Sequence, residues 1–238
     1  MVALDGPSGT GKTTVARRLA DRLSAGYLDT GAMYRVVTLA VLRAGVDPVD
    51  DARVAAVAGD TDFTIGTRPE RPVVTMGGED VTAAIRGNDI NHSVSAVSAV
   101  PAVRELLVAR QRKIIDEVAA EVGGIVVEGR DIGTVVAPDA PLKVYLTASP
   151  EIRAARRSAQ DSAAGRESSQ AAALASVDRR DRLDSSRATS PLRPAEDAVH
   201  VDTSELTIDQ VIVALAELAC QRRMLDEHAA DPAAEVTR

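Results

Sequence analysis

The amino-acid sequence predicts an α/β fold of three layers, α/β/α, around a central parallel sheet. Three observations lead there. A short strand at residues 1–5, apolar up to Asp5, and a wholly apolar run at residues 125–127 suit strands buried on both faces. Longer stretches carry apolar residues at helical spacing, as in Val15, Ala16, Leu19 and Leu23, or Val103, Leu106, Leu107, Ile114, Ile115 and Val118. The two kinds of segment alternate along the chain, which is the pattern of strands joined by crossover helices.

The elements follow in order. Residues 1–5 predict a strand that runs into a glycine-rich loop and a helix. Residues 27–29 predict a second strand, and Thr30 an N-cap for a helix through Met33, Val36, Val37, Ala40 and Val41 that ends at Ala44-Gly45. The character changes near Asp60. Residues 61–65 and 72–76 predict two strands joined by a polar turn, with Gly77-Gly78 closing the second and short helical pieces within 81–86 and 89–99. Residues 62–100 are therefore expected to be an insertion with its own small sheet. Pro101 suits the first turn of a long amphipathic helix that Gly123-Gly124 stops. Strands are expected at 125–127, 142–146 and 198–201, and a last helix at 208–218. The stretch 150–190 is polar, arginine-rich and interrupted by Gly165, so exposed and mobile helices are expected there. Residues 226–238 read as a flexible tail. The core is then 1–61, 101–149 and 191–225, with the 62–100 insertion and the 150–190 region as additions.

Composition narrows the function. The chain has 238 residues, 45% of them hydrophobic, enough for a proper core. No apolar run approaches the ~20 residues of a membrane span, and no charged segment followed by an apolar one opens the chain. One cysteine, Cys220, allows neither an internal disulfide nor a cysteine metal cluster. A cytoplasmic protein with no membrane partner, acting as a monomer, is expected. A net charge of −7 opposes general nucleic-acid binding, and four aromatic residues, Tyr27, Tyr34, Phe63 and Tyr145, make no stacking platform for single strands. Lysine occurs only at Lys12, Lys113 and Lys143; every other basic residue is arginine, the better fork for phosphate oxygens.

Gly6-Pro7-Ser8-Gly9-Thr10-Gly11-Lys12-Thr13-Thr14 contains G-x-x-x-x-G-K-[ST] between a predicted strand and a predicted helix. Glycines let amide groups turn inward around phosphate oxygens, and the helix adds its positive end. Lys12 would reach the β- and γ-phosphates of a nucleoside triphosphate, and the Thr13 hydroxyl would complete a Mg²⁺ shell. This predicts a P-loop and says little about what is done with the triphosphate. No guanine-reading Asn-Lys-x-Asp segment is present. The strand ending in Glu128 is a partial match to motor ATPases, but the chain is too small for their machinery. A small-molecule kinase remains the leading class. Its acceptor site would need positive charge, for which Arg35, Arg130 and Arg187 are candidates. Taken alone, an arginine reads first as a solvated surface residue; Arg130 is the exception, because it sits in a glycine-flanked loop at a strand's carboxyl end, where functional side chains gather.

Five segments carry a resemblance: residues 5–14, 28–35, 78–81, 128–136 (Glu-Gly-Arg-Asp-Ile-Gly-Thr-Val-Val) and 187–192 (Arg-Ala-Thr-Ser-Pro-Leu). In order and spacing they resemble bacterial cytidylate kinases, from Val2 to about residue 220. The resemblance implies ATP and CMP or dCMP as substrates, with Mg²⁺, a CMP-binding insertion and a short lid. It implies that Arg35, Arg130 and Arg187 hold the CMP phosphate, that Asp184 meets the ribose, and that Ser95, Arg104 and Asp131 read cytosine. Thr30 and Tyr34 are expected near the nucleotide, and lid residues Arg153, Arg157 and Arg180 near phosphates. The sequence departs from the family at Ser185-Ser186, where related chains often place a basic residue.

The base-reading set is chemically coherent. The N4 amine of cytosine donates, and the Asp131 carboxylate accepts. Cytosine N3 and O2 accept, and Arg104 donates. Uracil would face that carboxylate with a carbonyl, so CMP is expected over UMP.

Overall fold

The computed structural model describes residues 1–163, 165 and 169–222. In chain order the elements are β1 (Val2–Asp5), α1 (Lys12–Arg22), β2 (Gly26–Asp29), α2 (Thr30–Arg43), α3 (Asp51–Asp60), β3 (Phe63–Ile65), β4 (Val74–Met76), β5 (Glu79–Asp80), α4 (Asn88–Val97), α5 (Pro101–Val122), β6 (Ile125–Glu128), β7 (Leu142–Thr147), α6 (Pro150–Ala163), α7 (Gln170–Ser185), β8 (Val199–Asp202) and α8 (Ile208–Gln221). The tail expected at 226–238 lies outside the described residues.

The main sheet is parallel, in the order β2-β6-β1-β7-β8. Its apolar strands serve both faces because side chains alternate. Val2 and Leu4 point to the layer of α1 and α8, with Tyr27, Val126 and Leu146. Ala3 points to the layer of α2 and α5, with Leu28, Ile125 and Val127. The middle strand is β1; the 125–128 strand lies beside it. The chain first moves outward to β2, returns to insert β6, and then builds β7 and β8 on the opposite side. The carboxyl ends of β1, β2 and β6 are thus neighbours, and the loops leaving them share one crevice.

Residues 63–80 form a second, antiparallel sheet in the order β3-β4-β5. Gly77 and Gly78, both at positive φ, make its second turn. The loop between β3 and β4 is tied to the main body: Tyr27 N donates to Thr67 O at 2.8 Å, and Arg17 Nε to Pro69 O at 2.7 Å.

Several local expectations are revised. Thr30 is not the N-cap of α2. Asp29 is, because it leaves β2 with an extended backbone and its carboxylate accepts from Ala32 N at 2.9 Å. Thr30 is the first helical residue, and its hydroxyl donates to Glu128 O at 2.7 Å. The helix α3 has no counterpart in the sequence reading: it is short, and only Val54 and Ala58 are buried. The two-residue strand β5 is too brief for any pattern. After Asp131 the chain forms a wide helical turn at Ile132–Val136, with Val135 N and Val136 N both donating to Asp131 O.

The phosphate loop is set by contact with β7. Gly6 has φ +148°, and a Cβ there would stand 2.2 Å from Leu146 O. Backbone cannot yield as a side-chain tip can. Gly6→Ala should therefore lower stability by at least about 2 kcal/mol, read as a lower urea midpoint; a wild-type midpoint would contradict this packing.

Candidate active site

One cleft of about 750 Å³ opens at the carboxyl ends of β1, β2 and β6. Its walls include Ser8, Gly9, Gly11, Lys12, Thr13 and Thr14 from the phosphate loop. They also include Thr30, Tyr34 and Arg35 from α2, Arg104 from α5, Arg130 and Asp131 after β6, and Arg157, Arg180, Asp184 and Arg187 from the 150–190 region. Ser95 lines an adjoining hollow of about 210 Å³ that shares Ser8, Arg157 and Arg180 with the cleft.

At the donor end, Lys12 Nζ donates to Pro7 O at 2.6 Å and to Thr10 Oγ1 at 3.4 Å. Burial, aided by the charge of Arg130, pushes its ammonium well below the usual lysine range. An anion entering the loop would relieve that cost. Thr13 Oγ1 donates to Glu128 Oε2 at 3.0 Å, and Tyr27 OH donates to Glu128 Oε1. Burial, with the charge of Asp29 added, pushes Glu128 up to about 7. The Thr13 hydroxyl and the Glu128 carboxylate are adjacent hard oxygen donors, of the kind that fits Mg²⁺. Glu128 is a site residue that the sequence pattern alone does not single out. Its signal was the apolar strand ending in a carboxylate.

At the acceptor end, Arg104 is buried. Its Nη1 donates to Ser98 O at 3.1 Å and its Nη2 pairs with Asp131 Oδ2, while its guanidinium lies 5.2 Å from the centre of the Tyr34 ring. Arg104 Nε and Arg187 Nε are buried and have no hydrogen-bond partner among the described residues. A buried donor of that kind is unsatisfied by the protein alone and calls for an acceptor from water, an ion or a ligand. Arg35 Nη1 donates to Ile85 O at 2.9 Å, and burial beside Arg180 and Arg86 pushes its guanidinium well below the usual range.

Asp184 sits between the two ends, 1% exposed. It accepts from Arg130 Nε at 3.0 Å, pairs with Arg187 Nη2, and has Arg180 Nε at 3.9 Å. Burial opposes its charge, but Arg130, Arg187 and Arg180 hold it below the usual carboxylate range. Arg130 continues to the phosphate loop, donating to Gly6 O at 2.9 Å and Ser8 Oγ at 2.8 Å.

Arg153 and Arg157 have different surroundings. Arg157 lines the cleft and donates to Asp161 at 3.2 Å. Arg153 Nη1 donates to Ser8 O at 3.2 Å and pairs with Asp181, whose other oxygen accepts from Ser8 N at 2.8 Å. Arg156, absent from the sequence reading, donates to Thr10 O at 3.2 Å and Thr203 O at 2.7 Å. Helix α6 thus braces the phosphate loop, and a Cβ on Gly9 would meet Arg153 O at 2.8 Å.

The sequence model of the family described as cytidylate kinase matches residues 2–221. The chain belongs to the cytidylate kinase family. It is 61% identical to the cytidylate kinase of Nocardia farcinica over 93% of this chain and 94% of that protein. With the cytidylate kinase of Rhodococcus jostii it shares 60% identity over 93% and 95% of the two chains. The cytidylate kinase of Corynebacterium glutamicum is 55% identical over 93% and 96%. As a member of that family the chain is a P-loop phosphotransferase acting on nucleotides.

The buried Glu128 gives a pH test. Its carboxyl is raised above the ordinary 4.5, so the folded protein holds this proton more tightly than the unfolded chain. Its contribution is present below about 4.5 and is lost as pH rises through about 7. Glu128→Gln keeps groups that the Thr13 and Tyr27 hydroxyls can both satisfy and does not titrate. The variant should gain on the wild type by roughly 1–3 kcal/mol between pH 5 and 8, measured by denaturant unfolding without nucleotide. A pH-independent difference would contradict the environment described for Glu128.

Proposed function

We propose that the chain transfers the γ-phosphoryl group of ATP to CMP or dCMP, giving ADP and the pyrimidine diphosphate. The observation that carries the reading is the buried Arg104–Asp131 pair on the same cleft as Lys12 and the Arg130–Asp184–Arg187 cluster. The pair presents one donor fork and one carboxylate edge, the complement of cytosine N3, O2 and N4. Arg104 takes up only one Asp131 oxygen, which leaves the other to accept from N4. Ser95 completes the base pocket, and Tyr34 supports Arg104 from beneath. Arg35, Arg130 and Arg187 neutralise the acceptor phosphate. Asp184 keeps Arg130 and Arg187 in place and meets the ribose hydroxyls.

Residues 6–14 cradle the ATP phosphates, and Lys12 trades its bonds to Pro7 O and Thr10 for phosphate oxygens. Arg157 and Arg180 close over the transferred group from the 150–190 lid, and the 62–100 insertion covers CMP. Thr13, with Glu128 behind it, would hold Mg²⁺, which supplies charge neutralisation on the β- and γ-phosphates. For Arg153 to reach ATP it must first leave Ser8 O and Asp181, so its first role is to hold the loop.

The attacking oxygen of the CMP phosphate is already ionised, so no general base is needed. What the protein supplies is alignment of that oxygen with the γ-phosphorus and compensation of the charge that gathers there. Lys12, Arg130 and Arg187 bear most of that task.

Lys12→Ala should lower kcat by about 10²-fold or more with an unchanged circular dichroism spectrum. Normal turnover in the folded variant would overturn the donor-site assignment. Asp131→Asn keeps an acceptor for Arg104 but loses the charge facing N4. It should reduce the CMP-over-UMP ratio of kcat/KM by about tenfold or more, and an unchanged ratio would show that Asp131 does not read the base.

A further inference from the structure

Asp5 ends β1, one residue before the phosphate loop, and is 4% exposed. Its carboxylate makes its hydrogen bonds with the segment after β6, while the Lys12 charge in the phosphate loop also acts on it. Oδ1 accepts from Ile132 N at 2.9 Å, and Oδ2 accepts from Gly133 N at 2.8 Å. The two oxygens of one side chain hold two consecutive amides, and those amides immediately follow Asp131. At the other end of the same segment, Thr30 Oγ1 donates to Glu128 O at 2.7 Å. Between the clamps there is no slack: a Cβ on Gly129 would stand 2.6 Å from Ile132 Cδ1 and 2.7 Å from Thr30 Oγ1. Arg130 and Asp131 therefore stand on three to four residues of backbone fixed at both ends.

The arrangement is costly. Burial pushes the Asp5 carboxyl up to about 6; the two amides pull against this, and the charge of Asp131 adds to it. A neutral side chain would avoid that cost but could not offer two acceptors in one plane to adjacent N–H groups. The return connection comes from Arg130, which donates to Gly6 O and Ser8 Oγ. The donor loop and the acceptor loop are joined in both directions across β1 and β6.

We propose that Asp5 is a positioning residue for the acceptor nucleotide. Through Ile132 N and Gly133 N it sets where Asp131 meets the base and where Arg130 meets the phosphate. The inference rests on the roles proposed above for Arg130 and Asp131. Asp5→Asn is nearly isosteric, retains one acceptor, and turns an N–H₂ toward a backbone N–H. The loop after Gly129 must then shift, whereas the chain from Gly6 to Thr14 keeps its own contacts with β7 and α6.

The test compares Asp5→Asn, Asp131→Asn and the wild type in steady-state kinetics with ATP, CMP and UMP, alongside residue-resolved amide exchange. Asp5→Asn should raise KM for CMP by about tenfold and narrow the CMP-over-UMP ratio, with KM for ATP within about twofold of wild type. The Ile132 and Gly133 amides should exchange slowly in the wild type and at least about tenfold faster in the variant. Equal rises in both KM values with the CMP-over-UMP ratio intact would overturn the proposal, because Asp5 would then serve the phosphate loop alone. Wild-type kinetics would overturn it as well. If Asp5→Asn does not fold, fast exchange of both amides in the wild type still refutes the clamp, and slow exchange supports it. An Asp131→Asn variant with unchanged discrimination would show that the reading of the base has failed, not the clamp. Lost discrimination in Asp131→Asn with none lost in Asp5→Asn would sink the clamp alone.

Discussion

The Arg130 guanidinium is the junction on which the site depends. Three segments distant in sequence meet on it: the phosphate loop through Gly6 O and Ser8 Oγ, the end of β6 on which it stands, and α7 through Asp184. Burial works against its charge, but Asp184 and Asp181 outweigh that and hold it above the usual arginine range. A planar fork of five donors can satisfy carbonyl, hydroxyl and carboxylate at once, which an ammonium on a flexible stem cannot. The strand order makes the meeting possible, because β6 inserts beside β1 and brings its loop against the one that follows Asp5.

Charge compensation explains much of what surrounds this junction. Arg130, Arg180 and Arg187 would repel one another in a buried site, and Asp184 offsets them. Burial and neighbouring arginines still push Arg180 down to about 10, so positive charge remains in excess. An anion entering the cleft would offset that excess. The same reasoning applies at Lys12, whose ammonium has, among the described residues, a carbonyl and a hydroxyl as its hydrogen-bond acceptors. Both ends of the cleft carry positive charge that an anionic ligand would offset.

Much of this was legible in the sequence because the strongest signals are local. A glycine-rich loop between an apolar strand and an amphipathic helix, a glycine-flanked Arg-Asp after a second apolar strand, and proline at the start of α5 each specify backbone with few alternatives. Contacts made over long sequence distances were not legible. Nothing in the sequence says that Asp181 accepts from Ser8 N, that Arg156 braces Thr10, or that Ser98 receives Arg104. Asp29 displaced Thr30 as a cap because β6 lies close enough to take the Thr30 hydroxyl. Helix α3 went unread because two buried residues in ten make no visible stripe, and Glu128 because a carboxylate at a strand end acquires its role only beside Thr13 and Tyr27.

The central claim is that the two ends of one cleft serve a triphosphate donor and a cytosine-bearing monophosphate acceptor. The most direct measurement is ADP release from ATP and Mg²⁺, with CMP, dCMP, UMP, AMP and shikimate supplied one at a time and the products separated. The account predicts release that requires CMP or dCMP and yields the matching diphosphate in equal amount. Release that is independent of acceptor, or that follows shikimate or AMP in preference to CMP, would contradict it.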